Sequence, residues 1–184
     1  MTETTTAERP VIPLEKLYKH KNIHVLQTAI AGLAGFSALL YPLFGSVLET
    51  TLLGWLMVGN GAAIFLTLFV SWKLPFFWVR CLSVVTSALL GFFTVIHLSE
   101  AKGLVVGMLV VFLGLEALAQ LFLARHVSKV ASRNILYASA MIALIVAMFM
   151  NILPDPTATQ MALCLGIALI CEAFAMMRLL LRGP

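Results

Sequence analysis

The chain has 184 residues, of which 61% are hydrophobic and only 11% charged, with a mean hydropathy of +1.03. Soluble domains carry about a quarter charged residues, so a water-soluble globular domain is excluded and an integral membrane protein is expected. The net charge of +4 then reflects topology and attraction to anionic headgroups. The expected partner is the lipid bilayer, with no nucleic acid.

In chain order, residues 1–9 (MTETTTAER) form a polar tail of low complexity, unlike a cleavable signal peptide. Residues 10–22 (PVIPLEKLYKHKN) place Val11, Leu14, Leu17 and Tyr18 on one helical face, with Lys16, Lys19 and Lys21 elsewhere. That pattern suits either a short helix in the headgroup layer or an extended basic flank. Residues 1–22 are therefore read as a cytoplasmic N-terminal segment and 23–184 as one membrane domain. A helical span needs about 20 apolar residues. Six candidates follow, at 24–43, 50–71, 76–98, 103–124, 134–153 and 158–181. Backbone groups in lipid must be satisfied within the segment, so the expected fold is an all-α integral membrane protein of six transmembrane helices. Short connections make these three antiparallel hairpins, at about 24–71, 76–124 and 134–181.

Basic residues set the expected orientation. Arg9, Lys16, Lys19, Lys21, Lys73, Arg80, Arg125, Lys129, Arg133, Arg178 and Arg182 fall on one side, and only Lys102 on the other. The positive-inside rule puts both termini in the cytoplasm, leaving outer loops that carry Glu49, Glu100 and Asp155.

The three hairpins resemble one another. Gly35, Gly91 and Ala147 follow at intervals of 56 residues, and the second helices carry small residues seven apart: Gly54 and Gly61, Gly107 and Gly114, Cys164 and Cys171. Such self-similarity marks a repeated unit. Because lipid is as apolar as leucine, helices associate through small side chains that let backbones approach. Gly35, Gly54, Gly61, Gly91, Gly107, Gly114, Cys164 and Cys171 are therefore the expected helix-packing positions. The two cysteines stand where the other hairpins have glycine and are too far apart on one helix for a disulfide.

Against this background, ionisable groups inside spans are the functional candidates. Glu116 lies mid-helix, aligned in this register with Ala63 and Ala173, and Glu172 lies in the sixth span, aligned with Ala62 and Leu115. The two carboxyls could share a proton or face separate cations. Arg80 and Arg178 are the available cations, each long enough to reach the headgroups instead. Gln120 follows Glu116 by one turn, and Asn60 and Gln27 add polar groups within spans. His97, near the outer end of the third span with Glu100 one turn on, is either a pH-responsive group or an interfacial anchor equivalent to Tyr41. No motif of nucleophilic, metal-dependent or phosphate-binding catalysis occurs. The scattered histidines form no metal set, so neither enzyme activity, a cofactor nor a metal is expected.

The phrase GFSALLYPLFGSVLETTLLGWLMVGNGAAIFLTLF, and its counterpart ILPDPTATQMALCLGIALICEAFAMMRLL, resemble the HdeD-like membrane proteins over residues 22–182. The resemblance implies three tandem hairpins in the bacterial inner membrane and an association with acid resistance. It supplies no catalytic residues. The expected function is thus a non-enzymatic stress protein. A small proton-coupled transporter or channel using Glu116 and Glu172, and a subunit of a homo-oligomer or larger membrane complex, stay open as alternatives.

Overall fold

In the computed structural model, the described residues are 21–44, 47–71, 77–97, 102–127 and 129–181. They form six helices: α1 (Lys21–Phe44), α2 (Val47–Ser71), α3 (Phe77–His97), α4 (Lys102–His126), α5 (Val130–Ile152) and α6 (Ala158–Leu181). The expected headgroup-layer segment lies outside the described residues, apart from Lys21 and Asn22, which begin α1. All elements described are helical. Five helices are long and apolar enough to cross a membrane. In α2 the uninterrupted apolar stretch is the shorter Leu53–Leu68, within a helix of 25 residues.

Two helix starts differ in what sets them. At α6, Thr157 and Gln160 form a reciprocal cap. The Gln160 N–H donates to Thr157 Oγ1 at 3.2 Å, and the Thr157 N–H donates to Gln160 Oε1 at 2.8 Å. This Thr-x-x-Gln box satisfies two otherwise orphaned donors just after Pro154 and Pro156. α5 has no such side-chain cap; it starts at Val130, after the extended Lys129. The start is four residues before the expected 134, because Arg133 sits in the first turn of the helix without breaking it.

The helices form a closed ring in which each packs on its chain neighbours and α6 returns to α1. The pairs α2–α3, α4–α5 and α6–α1 pack more closely than the pairs within each hairpin. Glycine explains two of these close pairs. A Cβ on Gly91 would lie 2.5 Å from the Gly54 carbonyl oxygen and 2.7 Å from the Val58 nitrogen; one on Gly54 would lie 2.8 Å from the Gly91 oxygen. Across α6–α1, a Cβ on Gly166 would lie 2.9 Å from the Gly35 oxygen, and one on Gly35 would lie 3.0 Å from the Ile170 nitrogen. Gly61 is held less tightly, 3.3 Å from Ala88 N.

Gly107 and Gly114 differ from the expectation. Among the described residues nothing lies within 4 Å of a Cβ at either position, because the seven-residue spacing put them on a face of α4 that meets no close neighbour. Cys164 is buried and Cys171 half-buried, and both are free thiols. Gly91→Ala is therefore expected to force two backbones apart and to cost about 1–3 kcal/mol. Gly107→Ala should cost nothing. Thermal unfolding of the two detergent-purified variants checks the contrast, and equal melting temperatures would refute it.

The outward surface is apolar: Leu33, Phe36, Phe92 and Phe174 are each more than half exposed. Inside, the two ends of the bundle differ. A cavity of about 30 Å³ lies near the axis at the end where α1 finishes and α4 and α6 begin. It is lined by Leu53, Met57, Leu90, Leu109 and Leu165 among others. The other end holds most of the buried polar side chains; Thr94 is at the cavity end.

Candidate functional site: a buried Arg–Glu–Glu cluster

Three helices bring the site together. Arg80 stands one turn into α3, Glu116 beyond the middle of α4, and Glu172 in the second half of α6. Of the two routes open to Arg80, its side chain takes the inward one: it is 6% exposed, and Nη1 donates to Glu116 Oε2 at 3.3 Å. Glu116 is 2% and Glu172 5% exposed. The Glu172 carboxyl is close enough to interact with both Glu116 and Arg80. Arg80 is ion-paired with Glu116, and Glu172 stands within electrostatic range of both, without an ion pair of its own among the described residues.

A buried ion pair is stable only when its remaining lone pairs and protons are also satisfied. Here Glu116 Oε1 has no hydrogen-bond partner, nor do Asn60 Oδ1, Ser83 Oγ and Gln120 Oε1, all buried. Gln120, one turn after Glu116, extends the polar face of α4 and is 1% exposed. On α3, Ser83 and Ser87 continue the face that carries Arg80, and Ser87 Oγ donates to the Met57 carbonyl of α2 at 2.8 Å. Ser83, Ser87 and Ser139 were not anticipated as interior polar groups. The signal available was their spacing: Ser83 and Ser87 follow Arg80 at three and seven residues.

The remaining expected residues lie elsewhere. Arg178 is half-buried on α6, six residues after Glu172. His97 is the last residue of α3, at the opposite end of that helix from Arg80, and Glu100 lies outside the described residues. Among the described residues no set of three or more His, Cys, Asp and Glu side chains could hold a metal ion.

Chemically, the cluster is a charge-balancing device. With both carboxylates ionised it carries one net negative charge, and with one proton bound it is neutral. Five apolar helices of spanning length, an apolar outer surface and this polar interior define a multi-pass, all-helical membrane protein. Comparison of the chain with protein-family models, with curated proteins and with solved structures finds no match.

Proposed function

We propose that the chain is a non-enzymatic protein of the bacterial inner membrane that binds a proton at the Arg80–Glu116–Glu172 cluster and serves in resistance to acid stress. The observation that carries the reading is the burial of two carboxyls, Glu116 ion-paired with Arg80 and Glu172 within electrostatic range of both, inside a span where ionisable groups are costly unless used. Other titratable or charged side chains stand on the helices around the cluster. His24 stands on α1, His126 at the end of α4, Arg133 and Tyr137 on α5, and Arg178 on α6; the described side chains of α2 add only neutral Asn60 and Thr67. The acid-stress role itself is drawn from the resemblance to the HdeD-like proteins.

All six helices span in this reading, with both termini cytoplasmic. The distribution of charge supports it: Lys21, Arg125, Lys129, Arg133 and Arg178 lie at one end of the bundle, Lys102 and Asp155 at the other.

The scaffold is read as one hairpin repeated three times at a constant interval of 56 residues. Burial supports that register. Leu53, Leu109 and Leu165 are all buried, as are Met57, Leu113 and Leu169, and likewise Gln27, Ser83 and Ser139. The register pairs the close-packed Gly54 with Gly166, where the alignment on Gly107 and Cys164 did not. It also makes Asn60, Glu116 and Glu172 equivalent positions on α2, α4 and α6, in place of the alanines first aligned with Glu116. Arg80 then matches His24 and Leu136, both buried. The functional cluster occupies two equivalent rings that are not uniform, Asn60, Glu116 and Glu172 in one and His24, Arg80 and Leu136 in the other.

Acid survival of cells tests the role. Cells carrying Glu116→Gln at wild-type abundance should survive acid no better than cells without the protein; unchanged protection would sink it. Sustained dissipation of a pH gradient by proteoliposomes would point instead to a proton-coupled transporter or channel built on the same carboxyls. Co-purification of a stoichiometric partner would point to a subunit of a larger complex.

A further inference from the structure

We infer that the proton reaches Glu116 and Glu172 from one end of the bundle only, the end where α1 begins and α6 finishes, along its α1–α2–α3 side. This deepens the proton-binding reading above and rests on it. The first observation is the distribution of buried polarity. Among the described residues fourteen polar or charged side chains are buried, and all but Thr94 lie at or on this side of the midpoint of their helix. Thr94 is no stepping stone, because its hydroxyl already donates to the Leu90 carbonyl at 2.7 Å.

The second observation is what lies between the carboxyls and the other end. One turn before Glu116 and Glu172, on the same helix faces, come Leu113 and Leu169, each 1% exposed, with Phe112 at 0%. Beyond them lies the cavity, lined by Leu53, Leu109 and Leu165. Tyr41 and Thr94, which carry hydroxyl groups, also line this cavity, so the barrier on this side is the layer of Phe112, Leu113 and Leu169. A proton arriving from this end would cross that layer, whose buried side chains offer no hydrogen-bonded relay.

The opposite half offers polar partners. Asn60 Oδ1, Ser83 Oγ, Glu116 Oε1, Gln120 Oε1 and, on α5 near mid-helix, Ser139 Oγ are buried without a protein partner, and buried polar groups of this kind are satisfied by ordered water. Gln27 on α1 continues the polar lining toward the bundle end; Thr67 on α2, like Thr94, already donates its hydroxyl to a carbonyl of its own helix. The α4–α5–α6 side of that end is closed by a separate apolar cluster of Leu123, Val127, Leu136, Met176 and Leu179. The route therefore runs on the α1–α2–α3 side, where Arg80 stands between bundle end and carboxyls. The charged and titratable groups of the helices around it include His24, Arg80 and the two glutamates, with Arg178 on α6 and Arg133 on α5. With this end cytoplasmic, the cluster reports cytoplasmic acidity and is blind to the outer compartment.

The full chain, reconstituted in one orientation fixed by protease access to its N-terminal segment, tests the inference. The pH is stepped on one side while an impermeant buffer holds the other, and the infrared band of protonated carboxyl is followed. Its assignment comes from its loss in Glu172→Gln or, should that variant misfold, from the isotope shift on labelling with carbon-13 glutamate. The band should grow when the α1-start end is acidified and stay unchanged when only the cavity end is. Growth on acidifying the cavity end overturns one-sided access and leaves proton binding standing. No growth from either side overturns both.

Discussion

Replacing Arg80 by leucine is expected to destabilise the protein by about 3–5 kcal/mol, the usual cost of removing one partner from a buried ion pair. The reason is the charge left behind. Glu116 and Glu172 are 2% and 5% exposed, and among the described residues Arg80 is the cation ion-paired with this site. The cost should fall sharply when a carboxylate is removed as well. Arg80→Leu with Glu116→Gln leaves a single carboxyl that can become neutral by taking a proton, so most of the lost stability should return. Residues in direct contact are where such non-additivity is expected. Unfolding of the detergent-purified single and double variants in a double-mutant cycle gives the coupling. Additive losses would mean that the 3.3 Å contact between Arg80 and Glu116 contributes nothing to folding.

The two glutamates should show the reverse pattern. Either Glu116→Gln or Glu172→Gln leaves one carboxylate opposite Arg80, a neutral pair, so each single variant should fold and accumulate near the wild-type level. For Glu116→Gln this requires Arg80 to pair with Glu172, which already stands within interaction range. The double variant leaves the guanidinium alone in the core. It should lose about as much stability as Arg80→Leu, again about 3–5 kcal/mol. Neither single variant should bind the extra proton, because protonating its one carboxyl would strand the guanidinium. Stability and proton binding thereby separate: a single Gln abolishes the second while sparing the first. A double variant as stable as either single one would contradict the shared-cation geometry.

Much of this was legible in the amino-acid order. The apolar runs placed all six helices, because a backbone in lipid has few alternatives to a helix. The ends were less legible. α4 runs on to His126 and α5 begins at Val130, since Arg125 and Arg133 end an apolar pattern without ending a helix. Glu116, Glu172 and Gln120 stood out as polar interruptions of apolar spans, and all three are buried. The direction of Arg80 was not legible, because a side chain of that length reaches either the headgroups or a buried carboxylate from one turn inside the helix. The packing glycines were half legible. Gly54 and Gly91 meet across α2–α3, but Gly107 and Gly114 meet nothing described, while Gly166, passed over beside Cys164, packs on Gly35. Spacing alone names a face of a helix; only the neighbour decides whether that face is used. The cavity and the division between polar and apolar ends needed all the helices at once.

The central claim is that Arg80, Glu116 and Glu172 act as one proton-binding unit, and infrared spectroscopy of the full chain in lipid tests it most directly. On acidification the wild-type protein should gain one protonated-carboxyl band per chain from the pair, sensitive to deuterium exchange, and both Glu116→Gln and Glu172→Gln should lack it. A wild-type protein that gains no such band, or a single Gln variant that gains it undiminished, would contradict the account.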